Sequence, residues 1–415
     1  MAQSDAQLFL LSARDETELS GEIAGLAETC RNLNESGWGT LASTLRRRPF
    51  EAHRYAVVAS TAEELAGYCE ECIATGESGA AHVGQVEGDG IGRVAFLYTG
   101  QGAQYLGMGR GLYNTEPVFR SAIDACAEIL DPLLDRSLLS LLYPEDEQDH
   151  AIDETGYTQP TMFAMEYALG TLWRAWGIEP DVVMGHSVGE YAAACMAGVF
   201  SLEQGLSLIA ERGRLMHRLP RNGGMAAFRG AASDVLPAIE PYASTISVAA
   251  LNGPRNVVVS GEKEALSRVV EDLASKGIRG KSLTVSHAFH SPLMAPILDE
   301  FREAATRVAY RPPQRTFITN LTGEVASTDT ESPDYWAEHI RAPVRFATGM
   351  ETLERQRCDL VVEVGPQPTL LAMGAKCIEK RGVWIPSLRK GKDDRRIILD
   401  SAAQAFVAGA NLKES

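Results

Sequence analysis

Cysteine, long apolar runs and positive charge are all in short supply in this sequence. Its seven cysteines among 415 residues are an odd number, which gives no disulfide framework. Cys69 and Cys72 form a Cys-x-x-Cys pair, but no second pair or neighbouring histidine completes a zinc site, so we expect an ordinary helix surface there. We find no apolar run long enough to cross a bilayer and no signal-peptide pattern. These features together suggest a cytoplasmic protein.

The charge balance excludes two further classes of protein. The net charge is −16 at neutral pH, which argues against a general binder of nucleic acid or of membranes. Hydrophobic residues make up 45% of the chain and charged residues 23%, as in an ordinary globular protein. A chain of 415 residues is long enough for more than one domain.

The strongest motif in the sequence is Gly185-His186-Ser187-Val188-Gly189. Residues 182–184 before it read as a buried strand, and residues 191–197 after it favour a helix. A G-x-S-x-G segment between a strand and a helix is typical of a nucleophile elbow, whose sharp turn projects the serine hydroxyl out of the sheet. The glycines avoid a clash at this turn, and the helix N-terminus favours a developing oxyanion. The motif predicts a nucleophilic Ser187, with a chance turn of small residues as the alternative.

A glycine-rich loop, Gly100-Gln101-Gly102, directly follows the strand predicted at residues 94–98. The G-x-G-x-x-G fingerprint of dinucleotide-binding proteins fails here, because position 105 is tyrosine. We therefore do not expect a phosphate cradle. A group on a loop beside a central strand can instead donate to an oxygen that becomes negative in a transition state, which makes Gln101 a candidate for that role.

The order of predicted elements indicates an α/β protein built from several units. Residues 1 to about 90 alternate short strands with helices, and the polar, glycine-rich residues 74–92 suggest a boundary. Residues 223–283 read as strand–helix–strand–strand–helix–strand, the ferredoxin-like arrangement. They interrupt a larger α/β unit, whose sheet we expect to be completed by strands near residues 317–320 and 360–364.

Three further motifs accompany the elbow, and the four together are Thr99-Gly100-Gln101-Gly102-Ala103-Gln104, Gly185-His186-Ser187-Val188-Gly189-Glu190, Glu211-Arg212-Gly213-Arg214 and His287-Ala288-Phe289-His290-Ser291-Pro292-Leu293-Met294. Their types and order resemble the malonyl/acyl-transferase family, and specifically the acyltransferase domain of a modular polyketide synthase. The flanking sequence is similar too, so the resemblance covers nearly the whole chain. The chain thus looks like a segment of a larger synthase.

The resemblance implies a division of the chain. Residues 1–90 would form an α/β linker domain that joins a ketosynthase to the acyltransferase. Residues 91–222 and 284–382 would form a hydrolase-like large subdomain with a parallel sheet. Residues 223–283 would be the inserted ferredoxin-like small subdomain, and residues 383–415 the linker that follows the acyltransferase.

The resemblance also implies a role for each residue of the site. Ser187 would be the acylated nucleophile, and His290 the base that takes its proton. The backbone N–H groups of Gln101 and Val188 would form the oxyanion hole. A backbone carbonyl rather than a carboxylate would orient the base, and alignment of residues 336–344 assigns that carbonyl to His339.

Arg212 is the residue that the resemblance implies for substrate choice. A guanidinium binds the free carboxylate of a dicarboxylic thioester through two hydrogen bonds, which lysine cannot reproduce. Arg214, two positions further along, faces elsewhere on the helix, and we expect a surface salt bridge from it.

The base motif further implies which acyl unit is selected. In the family, His-Ala-Phe-His accompanies malonyl and Tyr-Ala-Ser-His accompanies methylmalonyl; here the motif is His287-Ala288-Phe289-His290. Phe289 would fill the space that an α-methyl group needs, and Val188 after the nucleophile also fits the malonyl type. Because one methylene changes discrimination by only about 1–3 kcal/mol, some leakage is expected.

The implied reaction is ping-pong transfer from malonyl-CoA, through Ser187, to the phosphopantetheine thiol of an acyl carrier protein. No metal and no bound cofactor is implied. The partners would be the carrier protein and neighbouring synthase domains, and we expect a monomer for the chain alone. Residues 46–48 and the cluster Arg389-Lys390-Lys392 are candidate carrier contacts by composition only, and a solvated face is the alternative for each.

Three other interpretations remain open on the sequence alone. A serine hydrolase of the esterase class would share the elbow, but it would need a carboxylate to complete its triad and would not need Arg212. A methylmalonyl or other extender would keep the mechanism and change the pocket. A docking segment without activity would not require Ser187, His290, Arg212 and Gln101 together.

Overall fold

The computed structural model describes residues 6–33, 35–46, 49–76, 78–88, 90–146 and 148–413. The chain begins with a small α/β unit made of β1 (Gln7–Ala13), α1 (Glu16–Arg31), α2 (Glu35–Arg46), β2 (His53–Ala59), α3 (Ala62–Thr75) and β3 (Ala81–Gln85). Its antiparallel sheet has the order β1-β2-β3. Asp15 and Thr61 cap α1 and α3, because their side chains accept from the amides of Glu18 and Glu64. Strand β3 lies inside the polar segment that the sequence marks as a boundary.

The second stretch supplies two adjacent strands of the central sheet and the helices around them. These elements are β4 (Val94–Tyr98), α4 (Arg110–Thr115), α5 (Pro117–Leu130), α6 (Leu138–Leu142), α7 (Thr155–Ala175), β5 (Val182–Gly185), α8 (Gly189–Ala197) and α9 (Leu202–His217). Helix α9 begins with a capping box, in which the Ser201 side chain and the Gln204 side chain satisfy each other's backbone amides.

A separate antiparallel sheet follows. Its elements are β6 (Gly223–Phe228), α10 (Ala232–Ile239), β7 (Ile246–Gly253), β8 (Asn256–Glu262), α11 (Lys263–Ser275) and β9 (Gly280–Leu283). The strands have the order β7-β8-β6-β9, and every pair of neighbours is antiparallel. The strand–helix–strand–strand–helix–strand succession is the one expected from the sequence.

The chain then returns to the central sheet. The remaining elements are α12 (Leu298–Ala305), β10 (Thr316–Ile318), α13 (Pro333–Arg341), α14 (Phe346–Arg355), β11 (Leu360–Val364), α15 (Thr369–Gly374), β12 (Val383–Pro386) and α16 (Asp394–Val407). Short 3-10 helices span Ala151–Asp153, Glu240–Tyr242, Pro292–Ile297 and Thr328–Glu331.

The central sheet is parallel and has the order β10-β5-β4-β11-β12. Every residue of β4, β5 and β11 is buried, as expected for parallel strands covered on both faces. The carboxyl ends of parallel strands lie at one edge of the sheet. The segments that follow β4, β5 and β10 therefore meet there, and they carry Gln101, Ser187 and Asn320.

The last segment of the chain links the central sheet to the N-terminal unit. The expected boundary at residue 383 falls at the start of β12, so this segment is continuous with the central sheet. Helix α16 packs against β2, where the buried Arg54 donates to the carbonyl oxygens of Phe406 and Ala410, each at 2.9 Å. Among the described helices, none combines the length and the apolar character needed to cross a membrane.

Candidate active site

The turn between β5 and α8 holds Ser187 in a strained conformation. Its φ angle is 51°, in the left-handed region that non-glycine residues rarely adopt. A Cβ on Gly185 would collide with the backbone of Gly189 and Glu190, and one on Gly189 would collide with the Tyr98 carbonyl oxygen. Such strain in a strand–turn–helix segment is the geometry of a nucleophile elbow, and it agrees with the expectation from the motif.

His290 lies directly against the serine. The Ser187 Oγ and His290 Nε2 atoms are 2.7 Å apart, and His290 Nδ1 is 2.8 Å from the carbonyl oxygen of Ala342. A carbonyl oxygen can only accept, so Nδ1 carries the proton and Nε2 is left to accept from the serine hydroxyl. Burial, followed by the neighbouring His339 and Arg212, holds the pKa of His290 well below its ordinary value. The His290 imidazole is therefore held in its neutral form, which can accept a proton.

The carbonyl that orients the base belongs to Ala342, so the assignment to His339 was wrong. Ala342 is the C-cap of α13, and its extended backbone (φ −74°, ψ 154°) places its carbonyl outside the helix. His339 lies three residues earlier, still within the helix. Its buried ring contacts the site differently, with Nε2 3.3 Å from a Glu190 carboxylate oxygen and its centroid 6.0 Å from that of His290.

A buried polar network that the sequence analysis missed braces the elbow from behind. The Asn320 side chain accepts from the Ser187 amide and donates to the Gly185 carbonyl, each at 2.7 Å. The carboxylate of Glu190, which is fully buried, accepts from the backbone N–H of Asn320 at 2.8 Å and from the Tyr335 hydroxyl. One signal was available, because Asn320 ends a predicted strand and thus lies at the functional edge of a parallel sheet.

The two amides expected in the oxyanion hole both lie at this edge. Val188 directly precedes the first residue of α8, so its N–H belongs to the helix N-terminus. Neither its amide nor that of Gln101 donates to another described residue. The Gln101 side chain is engaged elsewhere, because its Oε1 atom accepts from the Thr155 hydroxyl at 3.3 Å. Both amides therefore have a free N–H group for an acceptor oxygen from outside the described residues.

Arg212 is a buried cation with an unused hydrogen-bonding edge. Its Nη1 atom donates to Gln159 Oε1 at 2.6 Å, and its guanidinium lies 5.5 Å from the centroid of the Tyr191 ring. Nε and Nη2 have no partner among the described residues. These two nitrogens share the edge that grips a carboxylate through two parallel hydrogen bonds. Burial lowers the pKa of Arg212, but an arginine stays charged at neutral pH.

Arg214 lies on the same helix as Arg212 but differs from it in exposure and in its charged partners. It is exposed, and it pairs with Glu211 at 2.5 Å and with Glu300 at 3.0 Å. The expected surface salt bridge is confirmed. The two arginines on one helix therefore provide a matched pair, one buried and unpaired with acid, the other exposed and paired.

The residues expected to set the acyl unit are buried near the base. Val188 is 1% exposed and Phe289 is 8% exposed. The two ring nitrogens of His287 lie 2.9 Å from the Leu219 carbonyl oxygen and 3.0 Å from the Ser286 hydroxyl. With both nitrogens engaged, His287 holds the segment that carries Phe289 and is not free to act as a base. Within the described ranges, no three His, Cys, Asp or Glu side chains are grouped as metal ligands.

This protein has a parallel α/β sheet and a strained elbow that presents a Ser–His pair. It therefore falls in the class of α/β proteins with a serine nucleophile elbow. Within that class, the acyl transferase domain family matches residues 95–412. The chain therefore belongs to the acyl transferase domain family, and it is a transferase of the type found in polyketide synthases.

Individual relatives agree with this placement. The chain is 45% identical over 327 residues to the spectinabilin polyketide synthase system protein NorB of Streptomyces orinoci, covering 77% of this chain and 15% of that protein. It is 40% identical to the polyketide synthase GfsB of Streptomyces halstedii, over 96% of this chain and 7% of that protein. The chain thus spans a small part of the curated relatives it matches.

A solved structure of an acyltransferase domain of similar size also matches this chain. The acyltransferase domain from the second module of the salinomycin polyketide synthase superposes with a TM-score of 0.81 at 39% identity, over 97% of this chain and 93% of that one. The α/β fold with a parallel sheet is thereby shared with an acyltransferase domain of known structure.

Proposed function

We propose that this domain loads a malonyl extender unit from malonyl-CoA, through an acyl-enzyme on Ser187, onto the phosphopantetheine thiol of an acyl carrier protein. The observation that carries the proposal is the free edge of the buried Arg212. A buried charge without a partner is costly, and a substrate that brings its own carboxylate supplies the partner. Malonyl is such a substrate, whereas acetyl is not.

The geometry supports a two-step mechanism. In the first step the Ser187 oxygen attacks the thioester carbonyl while His290 Nε2 takes the hydroxyl proton, and that proton then leaves with the CoA thiol. In the second step His290 takes the proton of the phosphopantetheine thiol, the sulfur attacks the Ser187 ester, and His290 returns that proton to the Ser187 oxygen as it leaves. The amides of Val188 and Gln101 would stabilise the oxyanion in both steps. No bound cofactor enters this scheme.

Malonyl is the extender that the pocket residues favour. The aromatic ring of Phe289 occupies buried space next to the base segment, where the methylmalonyl motif has the smaller serine. Val188 agrees with the malonyl type at a second position. The expected preference is modest, because an added methyl group changes discrimination by about 1–3 kcal/mol.

The partners and the domain division are part of the same proposal. Residues 1–90 and 383–415 would link the acyltransferase to a ketosynthase and to later domains of a synthase, with residues 223–283 as a small subdomain. Of the basic clusters considered as carrier contacts, Arg47 and Arg48 lie outside the described residues, whereas Arg389, Lys390 and Lys392 are exposed. The cytoplasmic location and the monomeric state stay predictions.

A serine hydrolase is the second candidate, because the elbow alone serves both reactions. One observation speaks against the esterase form of it. His290 Nδ1 faces the carbonyl oxygen of Ala342, whereas an esterase triad places a carboxylate there. A transferase would retain the acyl-enzyme in the absence of a carrier thiol, whereas a hydrolase would quickly release the free acid.

Intact-protein mass spectrometry tests the proposal. The domain is incubated with an equal mixture of malonyl-, methylmalonyl- and acetyl-CoA, alongside the Ser187→Ala variant. We expect a malonyl adduct as the main product in the unmodified domain and none in the variant. A predominant methylmalonyl adduct would refute the extender assignment, and rapid CoA release without any adduct would favour the hydrolase.

A further inference from the structure

A chain of hydrogen bonds joins the loop that carries Gln101 to the buried Arg212. Thr155 Oγ1 donates to Gln101 Oε1 at 3.3 Å, Gln159 Nε2 donates to Thr155 Oγ1 at 3.0 Å, and Arg212 Nη1 donates to Gln159 Oε1 at 2.6 Å. Thr155 and Gln159 are fully buried and lie one turn apart on α7. The helix therefore presents both groups on one face.

Donor and acceptor chemistry fixes the direction of the two bonds that Gln159 makes in this chain. A guanidinium has donors only, so the Gln159 amide must turn its oxygen toward Arg212. Its NH₂ group then faces Thr155, whose hydroxyl oxygen accepts from it and is left to donate to Gln101. In the structure the Thr155 hydroxyl donates to Gln101 Oε1, so the sequence of donors runs from Arg212 through Gln159 and Thr155 to Gln101.

Gln159 also determines which part of Arg212 stays free. It holds Nη1, at one end of the guanidinium, and leaves the edge formed by Nε and Nη2 without a described partner. A glutamate at the same position would present two acceptor oxygens and a negative charge, which is the arrangement that pairs most strongly with a guanidinium. The neutral amide orients Arg212 without neutralising it.

We propose that Gln159 is a positioning residue that sets specificity for an acyl group with a free carboxylate. It holds Arg212 in a fixed orientation, keeps its charge uncompensated, and ties its position through Thr155 to the loop that carries Gln101. This proposal rests on the proposed function, because it assigns Gln159 to the selection of malonyl.

The test is the Gln159→Glu variant, which keeps the shape of the side chain and adds a competing carboxylate. Adduct formation is measured separately with malonyl-CoA and acetyl-CoA. We expect malonyl loading to fall by about 10- to 100-fold, the equivalent of one charge-assisted hydrogen bond, while acetyl loading is retained. Gln159→Met removes the hydrogen bonds and adds no charge, so it should lower malonyl loading less than Gln159→Glu does. It replaces Gln159→Glu as the test variant if the glutamate variant does not fold.

The matched control is Thr161→Val. Thr161 lies on the same helix and is equally buried, and its hydroxyl has no partner among the described residues, so we expect no change in the ratio of malonyl to acetyl loading. Equal losses for both acyl groups in the Gln159 variants would show a merely structural role and overturn the proposal, as would unchanged malonyl loading. Failure of the proposed function is a different result, because the unmodified domain would then form no malonyl adduct at all.

Discussion

A buried arginine without an acidic partner is an expensive residue to keep. Arg212 is 2% exposed, and within the described part of the chain its side chain donates only to the neutral amide of Gln159. The stacking against Tyr191 offsets part of the desolvation cost, but Nε and Nη2, which together carry three N–H donors, have no partner among the described residues. At the scale of the residue, the proposed function gives this arginine its missing partner, because the substrate would bring a carboxylate.

The same charge acts on the neighbouring base, which gives a pH-dependent prediction. Burial is the main cause of the lowered pKa of His290, and His339 and Arg212 add to it. The neutral imidazole is the active form, so acylation should lose rate only as pH falls below the ordinary histidine value of 6.5. In Arg212→Ala the pKa of His290 should rise, and the acidic limb should move to higher pH.

This shift is measured with acetyl-CoA, which does not depend on the arginine for binding. The pH dependence of the acylation rate is compared among the unmodified domain, Arg212→Ala and the exposed control Arg214→Ala. The assignment of the base would be contradicted if the acidic limb of the pH–rate profile lay at or above pH 6.5 in the unmodified domain. It would also be contradicted if that limb moved to lower pH in Arg212→Ala.

Sequence reasoning reached the chemically distinctive residues and missed those that support them. Ser187, His290 and Arg212 stand in recognisable motifs, and the structure brings Ser187 and His290 into contact. Ala342 and Asn320 act through a backbone carbonyl and an amide side chain, whose importance depends on contacts across more than fifty residues of sequence. No local pattern encodes such contacts, and a three-residue error in alignment was enough to select His339.

At the scale of the element, the elbow depends on the close approach of α8 to β4. Gly189 lies against the carbonyl oxygens of Tyr98 and Thr99, where a methyl group has no room. The strained φ of Ser187 is maintained because Asn320 and Glu190 over-determine the turn. The glycines of the motif are thus required by packing at this turn.

A pair of glycine substitutions tests this packing. Gly189→Ala should destabilise the domain and abolish adduct formation, because either α8 or β4 must shift. Gly25→Ala, in the exposed middle of α1 with nothing within 4 Å of the added carbon, should stabilise the fold by about 0.5–1 kcal/mol. Chemical denaturation measures both effects, and equal stability of the two variants would contradict the packing argument.

Most elements of the central sheet and of the antiparallel sheet were predictable, because their strands are strongly apolar and their helices are capped. Strand β3 was hidden, since its sequence Ala81-His82-Val83-Gly84-Gln85 has one β-branched residue, no clear alternation and a glycine. Gly84 is explained only by tertiary structure, because a Cβ there would press on the Val407 carbonyl in α16. The contact joins segments more than three hundred residues apart.

At the scale of the whole molecule, two buried carboxyl groups make stability depend on pH. Glu166 on α7 has no partner for either oxygen among the described residues, and burial raises its pKa well above the ordinary value. Burial also raises the pKa of Glu363 to about 7, although the amides of Leu370 and Leu371 donate to it. Both groups hold protons in the folded state that the unfolded chain releases at lower pH.

Stability should therefore decrease as pH rises from the ordinary carboxyl value toward and beyond neutrality. Each unit by which folding raises a carboxyl pKa lowers the free energy of unfolding by about 1.4 kcal/mol, once the pH exceeds both the unfolded-state and the folded-state pKa. Glu166→Gln cannot ionise, so its melting temperature should fall less between about pH 5 and pH 8 than that of the unmodified domain. Exposed Glu128→Gln is the control, and parallel curves for Glu166→Gln and the unmodified domain would exclude this role for Glu166.

The role of Arg212 is tested most directly by comparing malonyl and acetyl loading in Arg212→Ala with the unmodified domain and with Arg214→Ala. Removing one partner of a buried charge pair costs about 2–5 kcal/mol, so malonyl loading should fall by at least about 30-fold in Arg212→Ala. Acetyl loading should persist or increase, and Arg214→Ala should retain malonyl loading. Unchanged malonyl loading in Arg212→Ala, or equal losses for the two acyl groups, would contradict selection by the buried arginine.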